Sequence, residues 1–295
     1  MKPVKIITDT CSDITLEIAE KYGIHLLPVH IIFGDVEYLD RYEIGVKEFY
    51  EKLETSKVHP KTAQVTIQEH TDAYMKYADD YTIVHIPMSA NASGTYQSAR
   101  LARTNVLDEK EDAEIYIFEN NQLSYGYGLW VIEAAKMAAE GKSAEEILKM
   151  LEEKIYNVGI LFSVATLDYL QKGGRISSAS KLIANVLDIS PILAVEGGLV
   201  VSREKVRGSK KLISKMVQML NDDALDDPNQ KIYILHGNSP DTAQKLIDKI
   251  KENTDFVNFE LADIGPCIGI HASSDPALPS DRTHRLCYRG RGSSR

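Results

Sequence analysis

The chain has 295 residues, of which 43% are hydrophobic and 26% charged, and its formal net charge is −9. That acidic balance argues against a protein that binds along nucleic acid, because such binding depends on lysine and arginine. The length predicts two domains of about 150 residues each. No run approaches the roughly 18 apolar residues of a membrane span, and the N-terminus lacks a signal-peptide pattern, so we expect no stable membrane insertion and a cytoplasmic location.

In the first half of the chain, short β-branched runs alternate with longer segments of helical periodicity. The predicted strands cover residues 4–8, 24–33, 82–86 and 114–118, and Pro28 indicates an edge or irregular position for the second. Helix caps are predicted at Thr66 and at the Ser143-Ala-Glu-Glu146 capping box. This alternation predicts an α/β domain with a doubly wound, mostly parallel sheet over residues 1–155.

The pattern changes after about residue 155. Predicted strands cover residues 158–165, 192–195, 199–202, 231–235 and 256–262, and predicted helices cover residues 209–220 and 240–252. Glu196-Gly197-Gly198 joins two of these strands as a hairpin. A hairpin requires antiparallel pairing, so we predict a mixed-sheet α/β domain over residues 156–272.

Polar turns follow three of the four predicted strands in the first half, at residues 9–13, 89–95 and 119–124. Helix capping explains each turn taken alone. Ligands of doubly wound sheets, however, bind at the carboxyl ends of the strands, where all three turns are expected to lie. The three turns together therefore predict a binding site at this edge.

The strongest single candidate in these turns is Ser93-Gly94-Thr95, at the predicted start of a helix. A helix N-terminus offers free N–H groups, Gly94 allows close approach, and Ser93 adds a hydroxyl donor. This combination predicts a site for a carboxylate or a phosphate. Neither the Walker pattern nor G-x-S-x-G occurs, so nucleotide cradling and a hydrolase elbow are not indicated.

Two features of the second half are also candidates. His271 follows an apolar run, and Lys172-Gly173-Gly174-Arg175 is of the kind that presents a guanidinium in a surface loop, although a helix C-cap with a solvated arginine explains it equally well. No histidine spacing typical of a metal site occurs, and the three cysteines form no C-x-x-C pair. We therefore expect neither a metal nor a cofactor.

Several of these segments together resemble the DegV family, whose members bind fatty acids and include the fatty-acid-binding (FakB) subunits of bacterial fatty acid kinase. The resemblance runs from residue 4 to about residue 272. It rests on segments in the family's order, at residues 7–13, 62–64, 93–99, 169–176, 205–208 and 264–271.

The resemblance implies a protein that holds a long acyl chain in an apolar tunnel, with the fatty acid carboxylate at the domain interface. It assigns the carboxylate to Thr62, Ser93 and His271, with Gly94 and Thr95 at the helix N-terminus. A separate kinase subunit would supply ATP and metal for acyl-phosphate formation, so this chain would present the substrate without being catalytic alone. Arg175 and Arg207 match family arginines near the pocket mouth and are expected to dock the kinase or neutralise the transferred phosphate.

Composition alone cannot separate tunnel from core, and the candidates for the tunnel wall are Ile31-Ile32-Phe33 and the alanine-rich helix after Trp130. Two alternatives remain open for the function: a phosphotransferase or esterase with Ser93 as nucleophile, and a lipid-responsive regulatory protein without a kinase. No base for Ser93 is evident in the sequence.

The last residues depart from the rest of the chain. Five arginines and no lysine fall within residues 282–295, and the family's usual loop after the histidine is replaced by Ala-Ser-Ser-Asp-Pro. We therefore interpret residues 273–295 as an out-of-frame or artificially added extension. On that interpretation the second domain would lack its last strand.

Overall fold

The computed structural model describes residues 2–164, 167–175, 189–272 and 284–289. The chain divides into two compact units, the first made of Met1–Ile44 and Lys61–Tyr156 and the second of Gly45–Pro60 and Asn157–Arg295. None of the helices in the described residues is both long and apolar enough to cross a membrane.

The elements are numbered in chain order. The strands are β1 (Val4–Asp9), β2 (His25–Leu27), β3 (His30–Phe33), β4 (Val36–Leu39), β5 (Lys61–Ala63), β6 (Thr82–His85), β7 (Ile115–Ile117), β8 (Val158–Ser163), β9 (Ile189–Glu196), β10 (Leu199–Arg207), β11 (Lys231–His236), β12 (Asn258–Asp263) and β13 (His284–Arg289). The α-helices are α1 (Leu16–Lys21), α2 (Val46–Thr55), α3 (Ile67–Tyr77), α4 (Thr95–Glu109), α5 (Tyr125–Ala139), α6 (Ala144–Lys154), α7 (Asp168–Lys172), α8 (Ser209–Asp223), α9 (Pro240–Asn253) and α10 (Pro266–Ala272).

The first unit contains a parallel four-stranded sheet in the order β2-β1-β6-β7 and an antiparallel three-stranded sheet in the order β4-β3-β5. The predicted strand over residues 24–33 is in fact two strands in different sheets. Pro28 separates them, because proline has no N–H to donate to a continuing ladder. The predicted cap at Thr66 and the predicted capping box at Ser143 are both present, and the cap at Thr66 is also a capping box, with Glu69 as its third helical residue.

The second unit contains a six-stranded sheet in the order β10-β9-β8-β13-β11-β12. Within this sheet, β11 and β12 are the one parallel pair among the described strands, so the sheet is mixed. The predicted hairpin is formed by β9 and β10. The predicted fold class, a parallel-sheet α/β unit followed by a mixed-sheet α/β unit, is confirmed.

The second unit also includes α2, which the single predicted boundary near residue 155 assigned to the first domain. Phe49, Tyr50 and Leu53 are buried on one face of this helix. The Tyr50 hydroxyl donates to the Ile264 carbonyl at 3.1 Å, and an added Cβ on Gly269 would lie 2.9 Å from the Phe49 ring. The apolar face of α2 thus packs on α10, a long-range contact that local sequence patterns do not show.

A strand occupies part of the arginine-rich tail. β13 pairs antiparallel with β8 on one side and with β11 on the other, and Cys287 and Tyr288 are buried. An added Cβ on Gly159 would meet the Tyr288 ring at 2.5 Å, so the glycine leaves room for this ring. The structure therefore differs from the expectation of a missing last strand. Residues 273–283 and 290–295 lie outside the described residues, and the origin of the tail stays a prediction.

Candidate functional site

The three polar turns of the first unit are joined by hydrogen bonds, as predicted from their common position after parallel strands. The Met88 N–H donates to Asp9 Oδ2 at 2.8 Å, which links the turn after β6 to the turn after β1. The Ser124 hydroxyl donates to Asp13 Oδ2, which links the turn after β7 to the same segment. The carboxyl edge of the sheet is therefore one connected polar region.

Asp9 is the centre of this region and is fully buried. Its carboxylate accepts from the Cys11 N–H at 3.0 Å and from the Tyr127 hydroxyl at 2.7 Å, in addition to Met88. Burial raises the pKa of Asp9 from 3.8 to about 6, although the three hydrogen bonds oppose that rise. Burial and the adjacent Asp9 carboxylate raise the pKa of Tyr127 well above its ordinary value. Both Asp9 oxygens are occupied by protein donors, so Asp9 organises the loops.

A second buried carboxylate, Asp13, is held by Arg41. Their side chains are 0% and 5% exposed, and Arg41 Nη2 lies 3.5 Å from Asp13 Oδ1. Asp13 has a φ of 58° and Ser124 a φ of 57°, so two residues of this edge adopt a conformation that side chains disfavour. The sequence analysis did not predict a role for Arg41, because no local pattern distinguishes an arginine that is buried in the fold from one that is exposed.

The predicted anion site lies at the start of α4. Gly94 is its N-cap and provides no side-chain cap; the Ser93 Oγ lies 3.0 Å from the Thr95 Oγ1 and accepts from the Thr95 N–H at 3.2 Å. The N–H groups of Tyr96 and Gln97 belong to the first turn of this 15-residue helix, so they have no intrahelical acceptor. The turn therefore combines two hydroxyls, first-turn N–H groups and the positive end of a helix dipole.

The segment that contains Thr62 reaches the same turn. Gln64, two residues further on, places its Oε1 only 1.8 Å from where a Cβ on Gly94 would be. Its Nε2 also donates to the Ser98 hydroxyl at 2.7 Å. The structure therefore joins the end of β5 to the start of α4, and this places two of the predicted site segments side by side in one unit.

One of the two predicted tunnel segments lies next to Thr62. β5 pairs with β3, and Thr62 is opposite Ile31, which is fully buried. Phe33 on the same strand is also buried, and so is Trp130 on α5. Burial alone fits both a tunnel wall and ordinary core, but the register places apolar side chains beside the predicted carboxylate site.

In the second unit, His271 lies on α10 and is packed against Gly173. An added Cβ on Gly173 would lie 2.2 Å from His271 Nδ1, so the glycine at the end of α7 leaves space for the imidazole. Two segments that the sequence linked only through the family resemblance are thus in contact.

The two predicted arginines are both exposed. Arg175 follows Gly174, whose φ is 70°, and donates to the Gly173 carbonyl at 2.5 Å. Arg207 ends β10 and precedes Gly208, which is the N-cap of α8. Among the described residues, no group of three or more histidine, cysteine or acidic side chains could hold a metal ion.

A family model and a curated relative both relate the chain to the same protein family. Residues 3–275 match the model of the DegV family, described as uncharacterised proteins. The chain is 31% identical over 270 residues to the protein DegV of Bacillus subtilis, covering 91% of this chain and 95% of that protein.

Two solved structures have a fold similar to that of this chain. The structure of DegV from Bacillus subtilis, a fatty acid binding protein, has a TM-score of 0.82 at 27% identity, covering 97% and 99% of the two chains. A DegV lipid binding protein from Thermotoga maritima has a TM-score of 0.82 at 26% identity, covering the whole of both chains.

Proposed function

The chain belongs to the DegV family, and we propose that it binds a long-chain fatty acid whose carboxylate is held at the start of α4. The observation that carries this proposal is the turn at Ser93, Gly94 and Thr95, where hydroxyls and first-turn N–H groups collect beside the end of β5. Solved relatives of 26% and 27% identity bind lipid and fatty acid, which supports the same ligand here.

The chemistry of the turn suits a carboxylate. Ser93, Thr95 and Thr62 offer neutral donors, and the helix dipole adds a partial positive charge of about half a unit. Neutral donors hold an anion without neutralising it, whereas a bidentate arginine would withdraw charge from both oxygens. We include Gly94 in the proposed carboxylate site because it lets the ligand approach the backbone. We also propose His271 of the second unit as a hydrogen-bond donor to the carboxylate, and the Gly173→Ala variant tests this role separately.

The acyl chain requires an apolar wall that continues from the carboxylate. β3 provides one, because Ile31 lies opposite Thr62 and is completely buried. Each buried methylene of a ligand contributes about 0.8 kcal/mol, so a chain of 16 or 18 carbons needs only part of its length enclosed for tight binding.

We further propose that the bound carboxylate is a substrate for a separate kinase. A carboxylate oxygen would attack the γ-phosphorus of ATP, and the bond from that phosphorus to the oxygen that bridges the β- and γ-phosphates would break. ADP would be the leaving group, and the fatty acid would become an acyl phosphate. The partner supplies ATP and metal, and this chain supplies the oriented nucleophile. The exposed Arg175 and Arg207 are proposed to contact the partner or the transferred phosphate. Because the proposed reaction would consume ATP, we also propose a cytoplasmic location.

The alternative of Ser93 as a nucleophile receives no support from the geometry. Among the described residues, the hydroxyl of Ser93 forms its hydrogen bonds with Thr95, which is not a base. A lipid-responsive regulator without a kinase would share the same pocket, and capture of an ATP-binding partner by the loaded protein distinguishes it from the substrate-presenting role.

The experiment is a titration of delipidated protein with oleate and palmitate. We expect Ser93→Ala to weaken binding about 10- to 100-fold, because a hydrogen bond to a charged group contributes about 1.5–3 kcal/mol. The matched control is Ser214→Ala, at an exposed serine on α8. Equal affinity of the Ser93→Ala and Ser214→Ala proteins would refute the proposed carboxylate site.

A further inference from the structure

A surface groove on the first unit extends along α4 from Tyr96 and Gln97, whose N–H groups belong to the proposed lipid site, toward the middle of the helix. Its volume is about 320 Å³, and it runs between the exposed side of α4 and the strand β7. Arg100, Leu101 and Arg103 line it from the helix, and Ile115, Tyr116 and Ile117 line it from the strand. The volume is at the low end of the range for small-ligand pockets, enough for a few side chains.

The strand side of the groove is an open sheet edge. β7 is last in the order β2-β1-β6-β7 and pairs only with β6 in the described sheet. The Glu114 carbonyl accepts a hydrogen bond from the Ile83 N–H of β6, and the Phe118 N–H donates to the His85 carbonyl of the same strand. Since main-chain groups alternate in direction along a strand, those of Ile115 and Ile117 point into the groove. Arg103 Nε donates to the Ile115 carbonyl at 2.7 Å and so covers part of this edge.

The helix side of the groove is cationic in an acidic protein. Neither Arg100 nor Arg103 forms an ion pair with another described residue, so both guanidinium groups can pair with the carboxylates of an outside partner. The acidic residues of this part of the chain begin at residue 108, beyond Arg103. Leu101 and Tyr116 are 46% and 44% exposed beside these charges.

We propose that this groove binds an acidic peptide segment of a partner protein, which adds to β7 as an extra strand. The guest backbone pairs with Ile115 and Ile117, and its carboxylates pair with Arg100 and Arg103 in place of the present Arg103 contact. A guest apolar side chain covers Leu101 and Tyr116. Main-chain pairing supplies affinity and the arginines supply the preference for acidic sequences.

An extended acidic peptide is favoured over a helix or a small anion because both halves of the surface are then used. A helix cannot satisfy the strand edge, and a small anion uses neither the edge nor the apolar side chains. The strand is only three residues long, so we expect weak binding, with a Kd in the range of about 10 μM to 1 mM.

The test uses a fluorescein-labelled, end-capped peptide with alternating valine and glutamate, and fluorescence anisotropy with the full chain. We expect the wild type to bind the glutamate peptide saturably. The Kd should be at least tenfold higher when Arg100→Glu binds this peptide, and also when the wild type binds a peptide with lysine in place of glutamate. Arg100→Glu is preferred over a change at Arg103 because Arg103 bonds to the strand edge. Lys149→Glu, an equal charge change at an exposed residue of α6, should alter the Kd less than twofold.

Two further peptides test the strand addition itself, with N-methyl groups on the odd or the even residues. One pattern must block the N–H groups that face β7, so at least one peptide should lose binding tenfold or more. Retention of affinity by both would overturn the proposal, and so would an absence of saturable binding or an unchanged Kd for Arg100→Glu. Analytical ultracentrifugation would also overturn the proposal if the wild type were a dimer and Arg100→Glu a monomer, because the groove would then bind a second copy of the chain.

Discussion

Replacing Gly94 by alanine tests the packing that shapes the proposed carboxylate site. The new Cβ would lie 1.8 Å from Gln64 Oε1 and 2.7 Å from Gln64 Cδ, so the glutamine side chain must move. Its movement breaks the 2.7 Å bond to the Ser98 hydroxyl. The φ of Gly94 is −72°, which alanine accepts, so the backbone is not strained and any loss of stability comes from the displaced glutamine side chain.

The size of the effect follows from these contacts. A lost side-chain hydrogen bond destabilises by about 0.5–1.5 kcal/mol, and exchanging glycine for alanine in an allowed conformation stabilises by about 0.4–1 kcal/mol. We therefore expect Gly94→Ala to change the free energy of unfolding by less than about 1 kcal/mol in the wild-type chain. In a Gln64→Ala background the clash is absent, and the same change should stabilise.

The assay is a double-mutant cycle of urea unfolding with Gly94→Ala, Gln64→Ala and the pair. We expect a coupling energy of about 1 kcal/mol, with the pair more stable than the single effects predict. Oleate affinity should fall for Gly94→Ala in both backgrounds, because the methyl group narrows the approach to the first-turn N–H groups. A coupling energy near zero would refute the described contact between Gln64 and Gly94.

Three further predictions concern the two units separately. The pKa of Asp9 is higher in the folded state, at about 6, than its ordinary 3.8, so its protonation stabilises the fold below about pH 4, and this contribution disappears as the pH rises through 6. At about 1.4 kcal/mol for each pKa unit the whole shift corresponds to about 3 kcal/mol, of which roughly 2.4 kcal/mol should be lost between pH 4 and 7 from the free energy of unfolding of the wild type relative to Asp9→Asn; a pH-independent difference in urea unfolding would contradict this. Tyr127→Phe removes a donor to Asp9, so it should destabilise by about 1–3 kcal/mol and move that pH window upward, whereas an unmoved window would show that the hydroxyl does not bond to Asp9. Gly173→Ala should displace the His271 imidazole and weaken oleate binding with little loss of stability, because the φ of Gly173 is −76°; Gly174→Ala, at a φ of 70° with open space, should show the reverse pattern.

Local patterns predicted most of the elements because their causes are local. The capping boxes at Thr66 and Ser143 and the hairpin at Gly197 and Gly198 each depend on residues a few positions apart. The convergence of the three polar turns was also predictable, since parallel strands put their carboxyl ends at one edge.

Other features depend on contacts between distant residues and were not predictable. The transfer of α2 to the second unit depends on Phe49 and Tyr50 meeting α10, more than 200 positions away. The position of β13 in the middle of a sheet depends on Gly159 leaving room for Tyr288. An amphipathic helix or a short strand contains no local signal for the partner against which it will pack.

The candidate site shows the same division. The Ser93 turn was predicted from residue types that make a helix N-terminus suitable for an anion. Gln64 entered only as part of a family motif, and its contact with Gly94 comes from the tertiary fold. The buried pair of Asp13 and Arg41 was not predicted, because a charged side chain in a turn is normally solvated.

The most direct test of the central claim is native mass spectrometry of the purified chain, followed by the same measurement after denaturation. We predict one adduct per chain with the mass of a long-chain fatty acid, which is lost on denaturation and identified in the extract. The absence of an adduct, together with no binding of added oleate or palmitate, would contradict the claim.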